Sequence, residues 1–388
     1  MLFDFIYYNP TKIYFGKNSL SYLKEELKKY GKKVLLAYGF SSIKKIGLYS
    51  EVIQILEDSG KEVFDFPGIM PNPTYKKMME GAKIVKDNDI DLILAVGGGS
   101  VIDCAKAISV SAYSKDDPWN KYWIGRKEVD NKIVPVASIL TLAATGSEAN
   151  GGSVITNEEL KKKKGRVFSP EVYPKFSILN PLYTYSLPLY QTMSGIFDIF
   201  SHFMEQYFSG EDDNVSDYLL EGAMRSLIHS TEAIMVNSED YEARSNIMWL
   251  STIALNTMLG VSKPQDWEVH AIGHQISAYT LCAHGMSLSS ISPSYYLYTY
   301  KYGLEKFKRF AINVFNIQEE GKSSDEIARE GIETLKDYIK KYNMVSSIKE
   351  LGVNEEMIPL IAKSTDKGGA YKTLTEEDII NILRDSYN

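Results

Sequence analysis

The distribution of apolar positions divides the chain near its middle. Up to about residue 185, short apolar runs at Val34–Tyr38, Asp91–Val96 and Ile133–Ser138 alternate with amphipathic stretches at Leu20–Tyr30, Leu48–Ser59 and Thr74–Asp87. Near-continuous apolar strands, each followed by a helical period, predict parallel βαβ units with both faces of the sheet covered. Beyond Leu187-Pro188 the strand pattern fades. Helical periodicity takes over at Gln191–Phe208, Ser216–Val236, Tyr241–Leu259, Ser324–Tyr342 and Glu376–Tyr387. The expected architecture is an α/β domain over residues 1–185 followed by an all-α domain over 186–388. The run Lys161–Lys164 reads as a solvated loop, with a phosphate contact still open to it.

Composition narrows the class. A chain of 388 residues, 44% hydrophobic, has material for two cores of ordinary size. Its net charge is −7, from 43 basic and 50 acidic residues, so nothing draws the whole molecule to nucleic acid or anionic lipid. No apolar run approaches the roughly 18 residues of a membrane helix. The opening Met1–Pro10 lacks a basic region and a small-residue cleavage site, and two Cys cannot build a disulfide framework or a Cys-rich zinc site. A cytoplasmic protein is expected. Histidine is also scarce, five in all, and four of the five fall in two short segments of the second half.

Two loops of the first half suit a nucleotide. Asp91–Val96 runs straight into Gly97-Gly98-Gly99-Ser100, with Asp103 three residues on. Glycines admit close backbone approach, Ser100 is placed to cap the next helix, and that helix's N-terminus favours phosphate. This is neither G-x-G-x-x-G nor a P-loop, and alone it is as readily a tight strand–helix turn. A second stretch, Thr141-Leu142-Ala143-Ala144-Thr145-Gly146-Ser147-Glu148-Ala149-Asn150, follows the strand at 133–138 and is rich in hydroxyls. Two such loops at the carboxyl ends of strands stand where open α/β sheets bind ligands.

The second half carries metal chemistry. Asp198 and His202 are spaced i, i+4, as are His270 and His274, and His284-Gly285 follows ten residues later. The first spacing stacks a carboxylate and an imidazole on one helix face. An isolated pair would be an ordinary ion pair, and His229 is read as an ordinary polar residue. One Asp with three His suits Fe²⁺ or Zn²⁺ and leaves a position for a substrate oxygen. Spacing alone does not choose between His270 and His274.

With these residues the chain resembles the iron-containing, group III metal-dependent alcohol dehydrogenases, in particular the branch of butanol dehydrogenases and NADPH-dependent aldehyde reductases. The likeness runs nearly end to end, through Asn9-Pro10-Thr11-Lys12-Ile13-Tyr14-Phe15-Gly16, Pro71-Asn72-Pro73, Gly97–Ser100 with Asp103 and Lys106, Thr145–Glu148, Asp198…His202…Glu205 and Trp267-x-x-His270-x-x-x-His274…His284-Gly285. The resemblance implies a dinucleotide-binding, Rossmann-like domain over 1–185, an all-α metal- and substrate-binding domain over 186–388 with a divalent metal in the cleft between the two, and a homo-oligomer, a dimer or larger. It implies Asp198, His202, His270 and His284 as ligands and places His274 near nicotinamide and substrate. The implied cofactor set is Gly39, Ser41, Asn72, Gly98, Gly99, Ser100, Asp103, Thr141, Leu142, Thr145, Asn150 and Lys163.

The expected reaction is hydride transfer between NADP(H) and a short-chain aldehyde or primary alcohol, with His274 relaying the proton. Cofactor preference turns on the loop Ala37–Ser42. Where some members of the family carry an Asp that would repel a 2′-phosphate, this chain has Gly39, with Ser41, Ser42, Lys44 and Lys45 nearby. NADP(H) is therefore expected, and Gly39-Phe40-Ser41, which departs from a Gly-Gly-Gly-Ser run, leaves NAD(H) open. Trp119, Trp123 and Trp267 are candidates for shaping the pocket and equally ordinary core residues. A glycerol-type dehydrogenase fits the ligand pattern less well. A lyase of the dehydroquinate synthase type would need a Lys/Arg cluster beside the ligands, which the helical half does not offer. A non-catalytic binding protein would not need intact metal and glycine motifs.

Overall fold

Strands that are apolar at every position must be covered on both faces, and the sheet of this protein is. The computed structural model describes residues 3–210, 214–261 and 263–388. The chain divides into two units, one of residues 8–187 with 237–256, the other of residues 1–7, 188–236 and 257–388. Among the described residues no helix is long and apolar enough to cross a membrane.

In the first unit the chain runs β1 (Lys12–Phe15), α1 (Leu23–Leu27), β2 (Lys33–Tyr38), α2 (Ser42–Lys45), α3 (Leu48–Asp58), β3 (Glu62–Phe66), α4 (Tyr75–Asn88), β4 (Leu92–Gly97), α5 (Gly99–Ser111), β5 (Val136–Leu140), β6 (Gly152–Asn157), β7 (Lys162–Val167) and β8 (Phe176–Leu179). Six of these strands form a parallel sheet in the order β1-β8-β5-β4-β2-β3. The register sets Val34 beside Leu92 and Ile93 beside Val136. Leu23, Leu27, Val52 and Leu56 pack on one face against Val34, Leu36, Leu92 and Leu94. Strand order reverses between β2 and β4, the switch point at which open α/β sheets leave a crevice beyond their carboxyl ends. The Gly39 loop follows one of these strands and the Gly97 turn the other.

The helical unit contains α6 (Leu189–Tyr207), α7 (Val215–Val236), α9 (Glu268–Thr280), α10 (His284–Thr299), α11 (Leu304–Phe315), α12 (Ser324–Lys341), α13 (Met357–Ser364) and α14 (Glu376–Asp385). Helix α6 is its axis, buried at every position from Thr192 to Tyr207. Helix α8 (Tyr241–Ala254) lies between α7 and α9 in sequence but belongs to the first unit. The main division falls at Leu187–Pro188, close to the expected 185, and α8 is the later segment that groups with the sheet-bearing unit.

Local structure departs from expectation in four further places. The Lys161–Lys164 run is not a loop: β7 pairs with β6 in an antiparallel hairpin, and Lys163 is buried. Helix α5 begins at Gly99 with Gly98 as its N-cap, so Ser100 lies inside the first turn instead of capping it. The fifth strand starts at Val136, after Pro135, whose missing N–H suits a strand's entry rather than its middle. Helix α8 stops at Ala254, short of Leu259. Trp119 and Trp123 are core residues, packed near Tyr122 and Phe168, with Trp123 Nε1 donating to Ser153 O at 3.1 Å.

Candidate metal centre and nucleotide turn

Helix α6 presents Asp198, His202 and Glu205 at i, i+4 and i+7, one side of nearly two turns. Helix α9 supplies His270 and, a turn later, His274, while His284 is the first residue of α10. A Cβ on Gly285 would lie 1.8 Å from Ser194 O, so only glycine lets the start of α10 close on α6 and carry His284 to Asp198.

The four residues converge on one oxygen. Asp198 Oδ1 lies 3.8 Å from His202 Nε2, 3.5 Å from His270 Nε2 and 3.7 Å from His284 Nε2. Ligands bound at about 2.1 Å in a tetrahedron are about 3.4 Å apart, so the Asp198 oxygen stands from each imidazole at close to the spacing of two donors on one ion. Ligand atoms of Asp198, His202 and His270 lie within 4.8 Å of one another, and all three residues are buried. His270 Nε2 is buried with no hydrogen-bond partner, an arrangement that costs free energy unless a cation takes the nitrogen. Three imidazoles from α6, α9 and α10 and one carboxylate thus fit a divalent ion of the Fe²⁺ or Zn²⁺ type.

Glu205, which sequence reasoning placed in the motif without a role, orients the centre. Its Oε1 pairs with His270 Nδ1, its Oε2 accepts from His270 N at 3.2 Å, and Ser201 Oγ donates to Oε1 at 2.9 Å. A carboxylate behind an imidazole turns the opposite nitrogen toward the ion and raises its basicity. Its spacing, three residues after His202 on the same face, was the available signal. Burial opposes charge on His270, but Glu205 and Asp198 outweigh it and raise the imidazole to about 9. An incoming ion must displace that proton. Burial drives His202 the other way, to about 4, partly countered by Asp198, so it is neutral and ready to ligate near pH 7.

His274 stands beside this group instead of within it. Its ring centroid is 4.9 Å from that of His284 and 6.0 Å from that of His270, and it is half-buried. His229 is exposed on α7, and Asp198, His202, His270 and His284 come from α6, α9 and α10.

The nucleotide turn is built differently. Thr141 N donates to Gly97 O at 3.0 Å, so the loops after β4 and β5 are tied together. A Cβ on Gly98 would stand 3.0 Å from Leu142 Cβ, and one on Gly99 would stand 2.3 Å from Thr145 Oγ1. The second loop therefore rests directly on the first. Ser147 Oγ donates to Asp103 Oδ1, and Val154 N donates to Asp103 Oδ2 at 2.9 Å. Lys106 Nζ, fully buried, donates to Ser147 O at 3.0 Å and Asn150 O at 3.1 Å. Burial lowers this lysine to about 8, against the pull of Asp103 and Glu148. Asn150 is equally committed, donating to Gly146 O at 2.9 Å and accepting from Gly152 N at 2.7 Å. Thr252 Oγ1 on α8 donates to buried Glu148 Oε1 at 2.6 Å, fixing the loop from behind. Elsewhere Lys163 Nζ reaches Asn72 Oδ1 at 2.7 Å, and Gly39 O accepts from Gly68 N at 2.8 Å. Ser41 is exposed at the start of α2. Of the expected cofactor residues, the structure joins Gly98, Gly99, Thr141, Leu142, Thr145 and Asn150 in one cluster and Asn72 with Lys163 in another.

Comparison with known proteins agrees across the whole chain. Residues 10–181 match the family model for iron-containing alcohol dehydrogenase, and residues 192–387 match that for the C-terminal part of the Fe-containing alcohol dehydrogenase family. NADH-dependent butanol dehydrogenase A of Clostridium acetobutylicum is 37% identical over 393 residues, with 100% of each chain covered. NADPH-dependent aldehyde reductase YqhD of Escherichia coli is 34% identical, with 99% of this chain and 98% of that one covered. The crystal structure of NADH-dependent butanol dehydrogenase A from Thermotoga maritima superposes with a TM-score of 0.94 at 36% identity, covering 99% of both chains.

Proposed function

The chain belongs to the iron-containing alcohol dehydrogenase family and is an NAD(P)-dependent alcohol dehydrogenase or aldehyde reductase, and on that footing we propose how its residues divide the work. Asp198, His202, His270 and His284 hold one divalent ion, Fe²⁺ or Zn²⁺. The substrate is a short-chain aldehyde such as butanal, reduced to its primary alcohol. The observation that carries this reading is the convergence of three imidazole Nε2 atoms on Asp198 Oδ1 at 3.5–3.8 Å.

When bound, the metal supplies Lewis acidity toward a carbonyl oxygen, and the reduced nicotinamide supplies the hydride. The protein's own groups prepare that chemistry. Glu205 fixes the His270 ring so that Nε2 faces Asp198. The Gly97–Ser100 turn and the start of α5 bring backbone N–H groups and a positive helix end to the cofactor's pyrophosphate. Asn72 and Lys163 make a second, polar contact region for the cofactor. His274, half-buried next to His284, relays the proton that the alcohol oxygen needs.

NADP(H) is the proposed cofactor. Gly39 offers no carboxylate to repel a 2′-phosphate, and Lys44 stands 5.2 Å from the Tyr38 ring at the end of β2. NAD(H) is the second reading, because relatives 37–40% identical to this chain bear the name NADH-dependent butanol dehydrogenase. A cytoplasmic homo-oligomer completes the proposal, and light scattering on the purified chain gives the subunit number. The deciding experiment is a kinetic panel of short aldehydes with NADPH and NADH on protein reconstituted with Fe²⁺ or Zn²⁺. Metal-dependent, aldehyde-dependent loss of reduced-nicotinamide absorbance is expected. An unchanged rate after metal removal sinks the ligand assignment, and a preference for NADH above about tenfold, some 1.4 kcal/mol, sinks the cofactor one.

A further inference from the structure

Helix α9 starts in an unusual way. Helices α4, α8, α12 and α14 begin at Thr74, Asp240, Ser323 and Thr375, each with φ between −64° and −94° and a side chain that accepts from a backbone N–H of the first turn. At the N-cap of α9 stands Trp267, with φ +84° and no side-chain cap. A bulky residue in the left-handed region is a strained outlier, and such strain persists only where the surroundings enforce it. Here they do. Trp267 Nε1 donates to Gln265 Oε1 at 2.9 Å, Gln265 Nε2 to Gly260 O at 2.7 Å, and Asp266 N to Glu205 O at 2.9 Å. The Asp266 carboxylate accepts from Glu268 N at 2.8 Å, Ala370 N at 3.0 Å and the Tyr295 hydroxyl at 2.8 Å.

The strained backbone has a definite result. The imidazoles of His202 and His270 lie nearly parallel, 19° apart with centroids 4.7 Å from each other, and the indole of Trp267 stands across both. Its centroid is 6.1 Å from His202 at 61° and 5.4 Å from His270 at 78°. Edge-to-face contact is the preferred geometry for such rings. Asp198 Oδ1 faces both rings from the ligand side, and Glu205 bonds His270, whereas the indole of Trp267 is set against the rings of both His202 and His270. We infer that Trp267 is a positioning residue for the metal centre, a wall that fixes the planes of His202 and His270 and for which the left-handed start of α9 is retained. This rests on the ligand assignment proposed above.

The test measures Zn²⁺ affinity by competition with a chromophoric chelator and, separately, the d–d spectrum of the Co²⁺-loaded protein. Trp267→Gly, which relieves the backbone and removes the wall, weakens Zn²⁺ binding at least about tenfold, the low end for groups that orient ligands. Trp267→Phe keeps a ring and stays within about threefold of the parent. Trp267→Leu, which keeps bulk without a π face, serves if the glycine variant does not fold, and it shifts the Co²⁺ bands. Folded Gly or Leu variants with Zn²⁺ affinity within twofold of the parent and unaltered Co²⁺ bands overturn the inference. Parent protein that takes up no Zn²⁺, or a His270→Ala variant that binds it as well as the parent, overturns the ligand assignment instead.

Discussion

The proposed metal centre and the proposed nucleotide turn lie in different units and are made of different material. Around Asp198 the functional atoms belong to side chains, drawn from three helices and aimed at one point. Around Gly98 the side chains that look functional are spent on the protein itself: Asp103, Lys106 and Asn150 bond the loop of residues 145–154, and the surface left for a ligand is largely backbone. A side-chain site fails when a donor, or a group that aims a donor, is lost. A backbone site has few donors to lose, yet is sensitive to any added volume. Substitutions in the two regions should therefore fail in different measurements.

The largest effect is expected from His270→Ala, which should abolish metal uptake and cut kcat/KM by about 1000-fold or more, about 4 kcal/mol, while NADPH binding measured by fluorescence is unchanged. His274→Ala should leave metal content intact and lower kcat on the order of 100-fold with an altered pH profile, as for loss of a positioned acid. Normal kcat and pH dependence in that variant would end the relay role. Glu205→Gln should weaken Zn²⁺ binding by roughly 10- to 100-fold, read by chelator competition. Crossing to the other region, Gly99→Ala forces a methyl to 2.3 Å from Thr145 Oγ1 and should raise the Kd for NADPH about tenfold, about 1.4 kcal/mol, with metal content preserved. The smallest effect belongs to Gly39→Asp, whose Cβ meets only Ile69 O at 3.4 Å. It should move the NADPH/NADH ratio of kcat/KM toward NADH by about fivefold, roughly 1 kcal/mol for an exposed charge pair. If Gly99→Ala lost metal, or His270→Ala lost NADPH binding, the two regions would not be separable as described.

This contrast also explains what could be read from the sequence. Asp198, His202, His270 and His284 are rare residue types at helical spacings, so their grouping was legible, although spacing alone left His270 and His274 equivalent. Glu205 was harder to assign because glutamate is common: its spacing after His202 set it on the ligand face, and its buried contact with His270 gives it a role. In the first unit, Val34–Tyr38 and Asp91–Val96 announced strands by unbroken apolar character, and the structure has β2 and β4 there. The hairpin of β6 and β7 was invisible, since Lys162-Lys163-Lys164 carries neither apolar alternation nor a turn signal and takes its strand form from pairing with Gly152–Asn157. A hydroxyl ordinarily marks the cap, which points to Ser100, whereas in the structure Gly98 takes that position.

Helix α8 bears on how such a protein can be cut, recombined or inherited. Residues 237–256 are encoded after the first long helices of the other unit, yet Thr252 bonds Glu148 and a Cβ on Gly146 would lie 2.9 Å from Ser251 O. A fragment ending at Leu187 would strand the buried Glu148 carboxylate and uncover the back of the loop of residues 145–150. The two units are thus not modules in the genetic sense: no single crossover transfers one without damaging the other. A chimera that exchanges nucleotide specificity between relatives must carry two pieces of sequence, 8–187 and 237–256, from the same parent.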